Sequence, residues 1–246
     1  MDNRREALAP DQEMSSVMTE SQTRSPLLEI AVTLLIPSLI LMQLSKPEHL
    51  GAAGALVLAL ALPIGWGLRE LARSRRFSLF AGLGIVSLLL TGGIGLLELD
   101  ARWLALKEAA IPAVLGLVVA GSAFTRMPLV RVLLYTPLLL DTARIDAALA
   151  ERGNLGAFEA RLRIATWLLA GTFAFSAAMN YLLARWIVVS PAGSAAFNEE
   201  LGRLTLLSYP MIALPATLMM LALLYYLALG VKRLAGLSLG DALQRR

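Results

Sequence analysis

The sequence predicts an all-α polytopic membrane protein with six transmembrane helices, and three observations carry that prediction. Of its 246 residues, 57% are hydrophobic and only 16% charged, with mean hydropathy +0.68; an ordinary soluble domain carries about 25% charged residues. The apolar residues gather into runs of membrane length, since about 20 helical residues cross the roughly 30 Å hydrocarbon core. The basic residues lie unevenly between those runs.

The runs are Leu27–Leu44, Leu50–Leu68, Leu79–Leu97, Leu106–Phe124, Ile164–Ala184 and Thr205–Leu229. Residues 1–25 mix both charge signs and lack the apolar stretch of a signal peptide, so they read as a disordered cytoplasmic tail. The membrane domain is expected over 26–230 and a second cytoplasmic tail over 231–246. With the amino terminus inside, 17 of the 22 basic residues fall on the cytoplasmic side. Lys46, Arg102, Lys107, Arg185 and Arg203 are left outside, a bias that places both termini in the cytoplasm. Trp66, Trp103, Trp167 and Trp186 all sit near a run end, where an amphipathic ring prefers the headgroup level.

Between the fourth and fifth runs lies an amphipathic connector, 126–163. Its opening, RMPLVRVLLYTPLLL, is too short to cross and reads as interfacial. DTARIDAALAERGN then reads as a helix capped by Asp141 and ended by Gly153-Asn154. Ile145 and Leu149 share a face one turn apart, and Phe158 and Leu162 repeat that spacing further on. The face is either a lipid-resting connector or, through Ile145, Leu149 and Phe158, a docking surface for a cytoplasmic partner.

Small residues supply the packing signal, because lipid tails are as apolar as leucine and give helices no hydrophobic reason to associate. Ala170, Ala174 and Ala178 make a groove in run five; Gly116 and Ala120 make one in run four. Gly92, Gly93 and Gly95 end run three, for tight crossing or local deformation. Pro37, Pro63, Pro112, Pro210 and Pro215 interrupt backbone bonding inside runs, and run six is expected to kink.

Five charges, Glu98, Asp100, Arg102, Lys107 and Glu108, stand where runs three and four meet. Consecutive helical side chains diverge by about 100°, so Lys107 and Glu108 are expected to seek partners across the hairpin. They read as interfacial charges, a proton or solute path, or a partner contact. Asn180, inside run five, reads as polar glue between helices or as part of that path. With no cysteine and a single histidine, His49, the chain has no thiolate or histidine cluster. It shows no serine–histidine pairing or phosphate-binding glycine loop. Neither an enzyme, a metal nor a cofactor is expected. The formal charge of +4 is assigned to membrane topology, not to nucleic acid.

The stretch RRFSLFAGLGIVSLLLTGGIGLLELDARWLALKEAAIP, followed by ATWLLAGTFAFSAAMNYLLARWIV and FNEELG, resembles the intracellular septation protein A family. It is similar, more closely, to an uncharacterised bacterial inner-membrane family that shares TGGIGLLELD, KEAAIP and SPAGSAAFNEELGR-like stretches. Glu108 and Asn198-Glu199 depart from the septation pattern, whereas Asn180 matches it. The resemblance implies a bacterial cell inner-membrane protein with envelope or division partners and transfers no catalytic residue. IAVTLLIPSLIL, preceded by Glu29, and EAAIPAVLGLVV, opening on Glu108, each place an acidic residue before a proline and further suggest a three-plus-three inverted repeat.

The first functional expectation is therefore a non-enzymatic scaffold acting through the bilayer and protein partners. The alternative is a small-solute or proton-coupled transporter. They predict different interiors: packed side chains for the scaffold, a polar cavity reaching Glu108 or Asn180 for the transporter.

Overall fold

The computed structural model describes residues 30–74, 79–125, 127–136, 140–237 and 240. The predicted amino-terminal tail, the start of run one and the distal carboxyl-terminal tail lie outside the described residues. Those described are helical, without a β-strand among them. We number the helices α1 (Ala31–Leu44), α2 (Gly51–Ser74), α3 (Leu79–Leu96), α4 (Arg102–Ser122), α5 (Leu129–Leu133), α6 (Thr142–Glu151), α7 (Leu155–Ile187) and α8 (Ala195–Ala235).

Each predicted run falls on one helix. Four helices, α2, α4, α7 and α8, are long and apolar enough to cross a membrane; α1 and the Gly82–Leu96 part of α3 are apolar but shorter. Three helices begin earlier than hydropathy suggested. α4 starts at Arg102, and α7 absorbs the amphipathic stretch from Leu155. α8 starts at Ala195, where the Ser194 hydroxyl accepts the Phe197 N–H at 3.1 Å. Polar first turns hide from an apolar window but are ordinary helix openings.

Prolines shape two of these helices through wide turns. The π turn Ala31–Leu35 precedes Pro37, and the π turn Tyr209–Ala213 contains Pro210 and precedes Pro215. A π turn closes its backbone bond one residue further on, as in Leu214 N–H to the Tyr209 carbonyl, which keeps the helix continuous where proline supplies no donor.

The helices close into a ring. α1 packs on α2, α2 on α3, α3 on α4, and α4 runs along α7; α7 packs on the second half of α8, whose first half returns to α1. Close crossings coincide with glycines. A Cβ on Gly202 in α8 would lie 2.8 Å from the Ser38 carbonyl of α1, and one on Gly92 in α3 would lie 2.8 Å from Leu60 of α2. Gly116 of α4 meets Phe173 and the backbone at Ala170 and Ala174 of α7, so the alanine groove is a true crossing.

Two apolar clusters hold the ring. One joins α1, α2, α3, α4, α7 and α8 near the three hairpin loops, around Leu56, Leu104, Leu183 and Phe197. The other lies at the connector end, around Val130, Leu149, Leu162 and Val231. Asp141 caps α6 by accepting the Arg144 N–H at 3.1 Å, and Gly153 (φ +68°) ends that helix.

Ile145 and Leu149 are 0% exposed and Phe158 3%, all within the connector-end cluster. These three side chains are core and do not form a docking surface. The end of α8 covers them: the Asn154 amide donates to the Leu234 carbonyl at 2.9 Å, and the Arg161 guanidinium donates to the Tyr226 carbonyl at 2.9 and 3.1 Å. Gly236 (φ +71°) sits under the Arg152 guanidinium. The predicted tail therefore begins as helix, with Val231 and Ala235 buried.

A membrane-embedded cavity as the candidate functional site

Within the ring is a half-open cavity of about 640 Å³, and the four long apolar helices and the two shorter ones, α1 and α3, all contribute to its wall. At 1.5 Å per residue, Lys107 to Pro112 lie about 8–15 Å along α4 from Arg102. By the same rise Ser176 lies about 16 Å along α7 from Ile187, so the cavity runs from the third of the bundle nearest the hairpin loops to its middle. Much of the wall is apolar, with Leu34, Leu41, Leu56, Leu60, Leu88 and Leu204 among its residues.

The charged feature of the cavity is one ion pair. Lys107 Nζ lies 2.7 Å from Glu108 Oε1, with side-chain exposures of 9% and 31%. The ammonium also donates to Thr91 Oγ1 at 2.9 Å and to Ser87 Oγ at 3.1 Å on α3. The expectation that these neighbours would not pair is thus corrected. Both stems are long enough to overcome the 100° divergence, and Ser87 and Thr91 hold the ammonium on the side that Glu108 can reach. A paired and hydrogen-bonded charge is the form in which ionisable groups persist in a membrane interior.

Asn180 also lines the cavity, and its Nδ2 donates to the Ser176 carbonyl of its own helix at 2.8 Å. That bond is local; it does not cross to a second helix as glue would. Lys107, Glu108 and Asn180 therefore share one cavity, while Glu98, Asp100 and Arg102 are absent from its wall.

Asp100 and Arg102 form their own pair at 2.9 Å in the α3–α4 turn. The side-chain and backbone N–H groups of Arg102 hold the Asp100 carboxyl below its usual range. Glu98 (φ 53°) occupies the left-handed position that ends α3. A Cβ on Gly193 would lie 2.7 Å from Glu98 Cγ, so Glu98 packs against the α7–α8 loop. The five charges thus divide into a hairpin tip and a cavity pair.

Hydropathy passed over the hydroxyls of the wall. Ser38, Ser87, Thr91, Ser176, Thr205 and Ser208 line the cavity, as does Tyr209. Their spacing was readable: Ser87 and Thr91, Ser176 and Asn180, and Thr205 and Tyr209 are each four apart, one face of a helix. Pro37, Pro63 and Pro112 also face the cavity. Pro63 and Pro112 supply no donor to the carbonyls of Ala59 and Glu108, which belong to the same wall. Among the described residues, no group of three or more His, Asp and Glu side chains is arranged to hold a metal ion.

Outside the cavity, Asn198 is 1% exposed and ties α8 to the α1–α2 loop. Its Nδ2 donates to Ser45 Oγ at 3.0 Å and to the Ala52 carbonyl at 2.7 Å. Glu200 accepts the Val189 and Ser190 N–H groups at 3.0 and 2.9 Å, fixing the loop that leaves α7.

The described fold defines a class: an all-helical chain with four helices long and apolar enough to cross a membrane, around a largely apolar cavity that holds one ion pair and several polar side chains. No family model matches the chain, and neither a curated protein nor a solved structure does.

Proposed function

We propose that the chain is a multi-pass carrier of a bacterial inner membrane, binding a small solute in the cavity between its helices. The observation that carries this reading is the placement of Lys107, Glu108 and Asn180 in one cavity of about 640 Å³. That volume is in the range of sites for small organic ligands, about 300–1,000 Å³. A scaffold gains nothing from such a space, and burial of Ile145, Leu149 and Phe158 removes its expected docking surface. The carrier is read as non-enzymatic.

In this reading α1, α2, α3, α4, α7 and α8 are six spans with both termini in the cytoplasm, α1 and α3 being completed by their neighbours in the ring. The resemblance to the septation family enters as the source of the bacterial setting. Pro37 of α1 and Pro112 of α4 both face the cavity, which favours a repeat related across it.

The natural chain has no cysteine, so single cysteines report cleanly. In native membranes Ser176→Cys should react with a charged, membrane-impermeant thiol reagent. Leu182→Cys on the outward face, 58% exposed, should not. Equal protection of both positions would mean a dry interior and sink the carrier reading.

A further inference from the structure

The hydrogen-bond ledger of the cavity wall selects a class of solute. We propose that the cavity takes a small organic cation, a primary ammonium on an apolar body, with its N–H groups on Glu108 and the wall hydroxyl oxygens. This inference rests on the carrier reading and adds the substrate class.

The charged donor of the wall, Lys107, is fully engaged. Lys107 has three protons, and Glu108 Oε1, Thr91 Oγ1 and Ser87 Oγ take them at 2.7, 2.9 and 3.1 Å. With its side chain 9% exposed, it is a buried strut between α3 and α4. A carboxylate or phosphate guest would have to dismantle that strut to find a cation. A zwitterion meets the same obstacle at its acidic end.

Acceptors remain along the wall, on the partly exposed Ser176, Thr205 and Ser208 and on the buried Ser38. Ser38 donates to the Leu34 carbonyl at 2.8 Å, Ser176 to Thr172 at 3.0 Å, Thr205 to Leu201 at 3.0 Å and Ser208 to Leu204 at 2.7 Å. A hydroxyl has one proton and two lone pairs, so what these four can offer a guest is lone pairs. The carbonyls of Ala59 and Glu108 receive no N–H from Pro63 and Pro112. Glu108, 31% exposed, is the accessible member of its pair. A bare metal ion would leave the leucine wall uncovered, whereas an apolar body attached to the ammonium fills it.

The test is binding of 2-phenylethylammonium to the full chain in lipid nanodiscs, measured by calorimetry beside 2-phenylethanol and phenylacetate. Expected is saturable binding of the ammonium, at least about tenfold tighter than either analogue. Glu108→Gln should weaken it about tenfold or more. Lys107→Met should tighten it, because the internal competitor for Glu108 is gone; misfolding cannot produce that gain. The inference is overturned by no saturable ammonium binding, by equal or tighter binding of an analogue, or by an affinity indifferent to Glu108→Gln. Phenylacetate binding in a water-accessible cavity would overturn the substrate class and leave the carrier standing. Ammonium binding that follows these variants, with Ser176→Cys closed to one membrane face, would support the class and remove the carrier.

Discussion

At the scale of single residues, spacing was legible and pairing was not. The sequence displayed Lys107, Glu108 and Asn180 as polar interruptions of apolar runs, but not which of five nearby charges would meet. Pairing depended on Ser87 and Thr91 of another helix, and no periodicity within α4 reports them. Asn198 makes the same point. It reads as a loop amide, yet its Nδ2 bridges Ser45 Oγ and the Ala52 carbonyl with the residue 1% exposed. Its Oδ1 has no hydrogen-bond partner among the described residues. Removing the amide leaves the Ala52 carbonyl without this donor, so Asn198→Ala is expected to cost about 1–3 kcal/mol. A lower midpoint of thermal unfolding in detergent checks this, with unchanged stability as the contrary result.

At the scale of helices, the sequence located every long apolar element but misjudged where several begin and what the connector does. Hydropathy measures lipid compatibility; helices start at capping residues such as Ser194 and continue through polar turns. The amphipathic face of α6 and α7 was seen correctly as apolar, but its cover, the end of α8, is distant in sequence. The Arg161 guanidinium fastens that cover, lying 4.0 Å over the Tyr226 ring while donating to the Tyr226 carbonyl. Arg161→Met should cost about 1–2 kcal/mol and speed proteolysis of the connector; an unchanged digestion rate would contradict the fastening role. Gly202 is the corresponding point between α8 and α1. A Cβ there meets the Ser38 carbonyl, a backbone atom that cannot rotate away. Gly202→Ala is therefore expected to destabilise by about 1–3 kcal/mol, read as a lower unfolding midpoint, whereas Gly171→Ala, open at its Cβ, should be silent.

At the scale of the whole molecule, the return of α8 to α1 forms the cavity. Composition established that the chain suits lipid, and the runs established how many apolar helices to expect. Neither reports that α8 returns to α1 or that a half-open cavity is left between the helices. Pro37, Pro63 and Pro112 and the π turns of α1 and α8 border the cavity, and residues of the hairpin-end apolar cluster form part of its wall. Such irregular helices are sustainable where their freed carbonyls border a cavity or a neighbouring helix instead of lipid. The central claim, that this interior serves a carrier, is tested most directly by two-sided access to Ser176→Cys in sealed vesicles of both orientations. A carrier predicts modification by the impermeant reagent from each face of the membrane in turn. Modification from one face alone, or from neither, would contradict it.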